Sequence, residues 1–311
     1  MSVALVTGAT GFIRSHVARR LVREDVEVHV LRRPQSSFGR LEDVLPRLHV
    51  HDVTLADGPG LVALARAVRP DLIFHLAAAT VVAGSPGSSA ELVGVNVLGT
   101  VNLLEACEAI DYRGLVTTGD SFEYSASHRP LSEMDACRPA TLHGITKLAA
   151  TLHAQAVAHA HQRPIVTLRL FSTYGPGDNP RRLIPRVIAG ALSGTPISLS
   201  RREIARDWVY VEDVVDLYLE AALRASELRG GVFNAGSGVA VTIGDVTDLL
   251  VCLTGSRAEA RWGAFPAPAH DETPWTADMR RTFAAFAWRP RTPLEQGLRA
   301  TIAASAQEPL Q

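Results

Sequence analysis

The sequence predicts an α/β fold, a doubly wound parallel sheet with a smaller C-terminal lobe, on three observations. Short apolar runs rich in Val, Leu and Ile alternate with helical stretches through the first half of the chain, the rhythm of strand, crossover helix and parallel strand. Each run is nearly continuous rather than alternating, as strands covered by helices on both faces require. After Gly175 the rhythm breaks, and Pro and Gly gather where a second lobe begins.

The runs lie at 3–6, 27–31, 48–50, 72–76, 115–118 and 165–171, with a late one at 232–234 that can join the same sheet. Stretches 15–22, 61–68 and 97–109 have apolar residues at helical spacing and form the crossovers. The expected division gives residues 1–174 to the main body, with 207–235 returning to it, and 175–206 plus 236–311 to a smaller, substrate-facing lobe. Residues 258–274 are rich in Ala and Pro with little periodicity, and the tail 304–311 is expected to fray.

Composition narrows the function classes. Lys plus Arg number 31 against 32 for Asp plus Glu, so no net field draws nucleic acid or an anionic membrane, and an anionic ligand needs a local pocket. Cys107, Cys137 and Cys252 are an odd set without a close pair, which argues against a disulfide framework or zinc site and for a cytoplasmic setting. The opening residues lack the basic and long apolar segments of a signal peptide, and no run reaches the roughly 18 uncharged apolar residues of a membrane span. Small-molecule chemistry is the expectation.

The first run leads into Thr7-Gly8-Ala9-Thr10-Gly11-Phe12-Ile13-Arg14, a glycine turn placed where strand gives way to a helix N-terminus. Free amides and the helix dipole there can hold a pyrophosphate, with Thr10, Phe12 and Ile13 alongside, while Gly8 and Gly11 let the backbone come close. This is the Rossmann-like arrangement. The second run ends in Leu31-Arg32-Arg33, where an NAD site would place an acidic residue for the ribose hydroxyls. Arg32, with Arg33 beside it, suits a 2′-phosphate, so NADP(H) is expected over NAD(H). A charge-assisted hydrogen bond of about 1.5–3 kcal/mol corresponds to roughly ten- to hundredfold preference. Two solvated arginines at a strand end are the alternative, and Arg40 is a weaker candidate for the same phosphate.

With these motifs the chain resembles the extended short-chain dehydrogenase/reductase family, in its nucleotide-sugar epimerase, dehydratase and ketoreductase branch, over nearly its whole length. Asp52-Val53 looks like the family's adenine-contacting pair, His75-Leu76-Ala77-Ala78 is similar to the segment beside the cofactor, and Asn96-Val97-x-Gly99-Thr100 resembles its next helix, which implies a cofactor contact for Asn96. Leu168 to Gly177, Arg206-Asp207-Trp208-Val209-Tyr210, Phe233-Asn234-Ala235-Gly236 and Trp288-x-Pro290 complete the series in order. The resemblance implies a nucleotide-sugar substrate met by Tyr124, Ser172, Arg181, Arg182 and Arg206, since convergent guanidinium groups suit a diphosphate. Arg201 and Arg202 read as a solvated turn, and no arginine appears at 266–271 where relatives often have one. A homodimer through helices containing 96–105 and 143–156 is also implied.

Three departures fall on the residues that would do the chemistry. Arg14 replaces a glycine, so its side chain must point outward or the helix must shift; it either reaches a cofactor phosphate or hinders the dinucleotide. The family's catalytic tyrosine and lysine, four apart on one helix, read here as His143 and Lys147. Lys147 holds the ribose by analogy, and an imidazole, titrating near pH 6.5 in its ordinary state, can exchange a proton with a substrate hydroxyl. The family's serine or threonine aligns with Asp120, which either pairs with His143 or caps a turn; Ser121 is next to it and can take the hydroxyl's role.

The first functional reading is an NADPH-dependent ketoreductase of a nucleotide-linked keto-deoxy sugar, with redox epimerisation close to it and 4,6-dehydration less favoured because Ser121-Phe122 stand where dehydratases have an acidic pair. The second is proton transfer alone by His143 and Asp120 in an isomerase, lyase or cyclase. The third is a non-catalytic nucleotide-binding relative.

Overall fold

The computed structural model describes residues 2–33, 37–80, 88–267 and 274–306. Most of 266–271, the segment without the relatives' arginine, and the tail 307–311 lie outside the described residues. The chain starts with β1 (Val3–Thr7), α1 (Phe12–Arg23), β2 (Glu27–Leu31), β3 (Leu48–His51), α2 (Gly58–Val68) and β4 (Leu72–His75). Next come α3 (Ser89–Leu92), α4 (Gly99–Glu108), β5 (Gly114–Asp120), α5 (Leu142–Ala160) and β6 (Ile165–Leu170). The seven-stranded sheet runs β10-β6-β5-β4-β1-β2-β3, its last-arriving strand being β10 (Val232–Ala235), and every pairing in it is parallel.

Parallel strands need crossovers on both faces, and the apolar runs supply side chains to both. Along β1, Ala4 and Val6 join one buried cluster while Leu5 between them joins another with Ile73, Leu115 and Ile165. Burying each such side chain stabilises the sheet by about 1.5–3 kcal/mol. The strand order turns back between β1 and β4, which places the glycine turn and the segment after His75 on either side of one crevice.

The rest of the chain builds smaller sheets. β7 (Ser172–Tyr174) pairs with β9 (Ala205–Tyr210), which pairs with β11 (Ala240–Thr242), and β8 (Ile197–Ser198) pairs with β12 (Ala260–Arg261). These strands and the helices α6 (Leu183–Ser193), α8 (Ile243–Thr254) and α10 (Leu294–Ser305) surround a third apolar cluster that includes Tyr174, Ile184, Val246 and Leu298. Between them α7 (Val211–Leu223) packs back on the main sheet, and α9 (Arg280–Ala285) on β10.

Two expectations are corrected. The run at 165–171 ends at Leu170, and β7 leaves for the smaller sheet, so a boundary at 174 falls after a strand that pairs with the second lobe. The helix expected from 97 starts at Ser89 and passes through a π-helical stretch, Val93–Leu98, before α4. Among the described residues Ser89–Glu108 is thus long and apolar enough, by length and composition, to cross a membrane, which amends the expectation from run length. Here it is packed against α2 and α5.

Candidate active site

Gly8 turns the chain with a φ of +71°, which favours glycine. Gly11 is the N-cap of α1 without a side-chain cap, and the helix has no acidic residue in its first turn, leaving its positive end open to an anion. A cleft of about 380 Å³ runs from this turn past Leu31, Arg33, Val53 and Leu98 to Ala77 and Ala78. Arg33 lines it. Arg32 does not: it forms a bidentate pair with Asp52 at the surface. Sequence reasoning weighted Arg32 and the Asp52-Val53 pair, and the structure brings only the second member of each pair to the cleft wall.

Arg14 corrects an expectation. Its side chain points inward and lies across the glycine turn: a methyl group added to Gly8 would sit 2.9 Å from Arg14 Nη1, and one added to Gly11 would sit 2.9 Å from Arg14 Cδ. At the far side Nη2 donates to the Ala78 carbonyl at 3.3 Å. Burial, with the like charges of Arg33 and Arg40, lowers its pKa to about 10. Arg40 donates to the carbonyls of Gly177 and Thr10, tying the loop after β7 to the turn.

Beneath the cleft, Thr7 Oγ1 accepts from the Ala77 amide at 3.1 Å and donates to His75 Nδ1 at 2.9 Å, a direction fixed by Thr100, which spends its own proton on a carbonyl and so takes one from the other ring nitrogen. His75 Nε2 then donates to Thr100 Oγ1 at 2.9 Å, and Thr100 donates to the Asn96 carbonyl. The chain of bonds needs a neutral imidazole, and burial, with Lys147 and Arg14 nearby, lowers the His75 pKa to about 3. A folded pKa below the unfolded one means that acid protonates the unfolded chain first. Stability is therefore expected to fall as pH drops from about 6.5 toward 3, by an amount on the order of 4 kcal/mol from this group. Thermal unfolding across that window checks it: His75→Gln should lose less than the parent chain, and an equal loss would exclude His75 as the cause.

Asn96 is buried. Its amide bonds both the N–H and the carbonyl of Ala79 and donates to Thr146 on α5 at 3.0 Å. It therefore joins the segment after β4 to the helix bearing His143 and Lys147. Leu76 is buried in the core.

At the end of β5, Asp120 Oδ1 accepts from the Phe122 amide at 2.9 Å and Oδ2 faces His143 Nε2 at 3.3 Å. Asp120 thus performs both expected roles, turn cap and imidazole partner. Burial would raise its pKa, but the hydrogen bond and charge of His143, with the Phe122 amide, leave it below the ordinary value. His143 Nδ1 is buried without a hydrogen-bond partner among the described residues. Lys147 lies one helical turn further, 6% exposed; burial and Arg14 lower its pKa against the opposing pull of Asp120 and Glu123. Ser121 is buried beside Asp120.

Two residues that the motifs did not single out build this corner. Glu123, fully buried, accepts from the Asp120 amide, Thr151 Oγ1 and Arg169 Nε at 2.9, 3.0 and 2.7 Å. The signal for it was the Asp-x-x-Glu spacing of a capping box. Gly144 follows His143, and a methyl there would lie 2.1 Å from the Phe122 carbonyl oxygen, so glycine lets α5 approach the turn that holds Asp120.

The expected sugar-side residues are dispersed. Tyr124 is corrected: it is 1% exposed and its hydroxyl donates to Asn234 Oδ1 at 2.8 Å, a core bond. Arg182 donates to the Thr173 carbonyl and to Asp178, stapling its own loop. Arg181 is exposed, Arg206 donates to the Ala205 carbonyl from β9, and Ser172 begins β7 half-buried. Asp207, beside Arg206, accepts from the amides of Ser237, Gly238 and Ala277, fixing the Gly236–Gly238 turn.

The model of the NAD-dependent epimerase/dehydratase family matches residues 4–236. The chain belongs to that family. It is 29% identical over 318 residues to a trifunctional UDP-glucose 4,6-dehydratase/UDP-4-keto-6-deoxy-D-glucose 3,5-epimerase/UDP-4-keto-L-rhamnose-reductase of Arabidopsis thaliana, using 98% of this chain and 47% of that protein. It thus spans about half the length of these trifunctional relatives. It is 26% identical to the dTDP-glucose 4,6-dehydratase of Neisseria gonorrhoeae, covering 96% of this chain and 94% of that one. Among solved structures, UDP-glucose 4-epimerase of Thermotoga maritima with UDP-glucose superposes with a TM-score of 0.89 at 25% identity, covering 99% of both chains. MoeE5 with UDP-glucose and NAD gives 0.84 at 30% identity, again over 99% of both. The Rossmann-like sheet and the kinship read from the motifs are those of this family.

Proposed function

We propose that this family member acts on the sugar of a nucleotide-linked substrate, with His143 moving a proton and Asp120 holding the imidazole. The observation that carries the reading is the orphaned, buried Nδ1 of His143 on a ring whose other nitrogen faces Asp120. With Nε2–H donated to the carboxylate, Nδ1 is left as the base, and a substrate hydroxyl is the group that completes it. UDP-glucose and UDP-glucuronic acid, bound by MoeE5, indicate the substrate class.

Two reaction types use this pair. NADPH-dependent ketoreduction, with redox epimerisation beside it, is supported by Lys147 on the same helix face and by Arg33 at the cleft wall, where it suits a 2′-phosphate. Proton transfer alone, as in an isomerase, lyase or cyclase, is supported by Arg14. The cofactor's adenosine half fits the cleft between Leu31, Val53 and Leu98, but the Arg14 side chain lies over Gly8 and Gly11 and reaches the Ala78 carbonyl, across the path that the nicotinamide half must take. A whole dinucleotide does not fit beside it, so hydride transfer belongs only to a form in which Arg14 has moved.

Incubation with UDP-linked 4-keto and hydroxy sugars in deuterated water tests the reading. Deuterium entering a sugar carbon without NADPH consumption is the expected result of proton transfer alone, NADPH consumption with the coenzyme's hydride on that carbon is the expected result of ketoreduction, and either should be lost in His143→Phe. No exchange and no turnover with any of them would overturn it.

We also propose a homodimer in a reducing cytoplasm. Ile145 and Leu152, two turns apart on α5, are 49 and 56% exposed, an apolar face that a second copy would cover. Light scattering should give twice the 33.4 kDa chain mass, and Ile145→Glu should lower it to one.

A further inference from the structure

The cleft stops short of the acid–base pair. Its lining ends at Arg14 and Ala78, and Lys147, His143, Asp120 and Ser121 contribute nothing to it. Arg14 is the barrier: rooted in α1, it lies over Gly8 and Gly11 and reaches the Ala78 carbonyl on the other side of the strand-order reversal. On the near side the walls are apolar, from Leu31, Val53, Leu55 and Leu98, with Glu91 and Asn102 as polar members. Such walls suit a flat base, and polar groups of that kind suit ribose hydroxyls. The buried guanidinium has the cations Arg33 and Arg40 as its charged neighbours, and they disfavour its charge. An anion of the right reach relieves all three.

We propose that Arg14 is a crossbar dividing this cleft, so that the chain as folded takes a nucleoside mono- or diphosphate, its phosphate on the Arg14 guanidinium, in preference to a dinucleotide. The replaced glycine is what makes the difference: with no side chain at position 14, the route from the turn toward Lys147 is open, and with arginine it is occupied. The same side chain then has opposite effects on two ligands. It attracts a phosphate that ends at the turn and obstructs a molecule that must continue past it. This deepens the proton-transfer form of the proposed function and rests on the same cleft, but not on His143.

Calorimetric titration of the full chain with ADP, NADH and NADPH tests it, since ADP is the half of the coenzyme that stops at the crossbar. The parent chain should bind ADP at least tenfold more tightly than either coenzyme. Arg14→Gly should reverse the order, with at least tenfold weaker ADP and at least tenfold tighter NADH or NADPH. Arg14→Met keeps the length without the charge: ADP should weaken as in the glycine variant while both coenzymes stay excluded, and this variant also serves if the glycine change destabilises α1. Coenzyme affinity in the parent chain equal to that of Arg14→Gly, or ADP affinity indifferent to both substitutions, overturns the proposal. His143→Phe should leave all these affinities unchanged. A chain that binds ADP as described but exchanges no sugar proton would remove the proposed reaction and leave the crossbar standing.

Discussion

His143→Phe is expected to lower turnover by about 10²- to 10⁴-fold, the range a positioned general acid or base supplies, with nucleotide affinity retained. The ring is held by geometry that phenylalanine copies in shape but not in chemistry: α5 places its Nε2 against Asp120, and Nδ1 has no hydrogen-bond partner among the described residues. Asp120→Asn separates orientation from proton transfer. An amide in place of the carboxylate can present either an acceptor or a donor to Nε2, and so loosens control of the tautomer. Its loss should be smaller than that of His143→Phe and should vary with pH in a different way, read from pH–rate profiles of the two variants. Turnover that survives His143→Phe within a factor of two would move the proton to another group and end the assignment.

The second large effect concerns stability. Glu123 and Arg169 form an ion pair at 2.7 Å with 0 and 4% of their side chains exposed. Removing one partner of such a pair leaves an uncompensated buried charge and costs about 3–5 kcal/mol. Glu123→Ala is expected to lose that much in urea unfolding, while Glu123→Ala combined with Arg169→Met should recover part of it, because no charge is then stranded. A single-variant loss below about 1 kcal/mol would mean that water reaches Arg169 and that the pair is not the anchor of the corner. Since Glu123 also accepts from the Asp120 amide, its loss should reduce turnover as well.

The main sheet was legible because β1, β2, β4, β5 and β6 are buried along most of their length, which leaves nearly continuous apolar runs that no other role demands. The glycine turn was legible through its position after the first run, and His143, Lys147 and Asp120 through the resemblance to the family's motifs. What the sequence concealed depends on partners far along the chain. Tyr124 looks like a pocket residue until Asn234, 110 residues later, takes its hydroxyl. Asn96 looks like a cofactor ligand until its amide is found bonded to Ala79 and Thr146. Arg32 and Arg33 are adjacent in a strand-end segment, and only the presence of Asp52 on the neighbouring loop decides which one turns away. For Arg14, helical periodicity fixes the direction of Cβ but not the path of a long flexible side chain over two glycines.

The contact between Gly144 and Phe122 means that alignment of the proton-transfer pair is enforced by the smallest side chain in the neighbourhood. Two rigid backbones meet there with no room for a single carbon between them. Adding one would wedge the imidazole off its carboxylate without removing any polar group, so the reaction is protected by a shape requirement at a residue that takes no part in it.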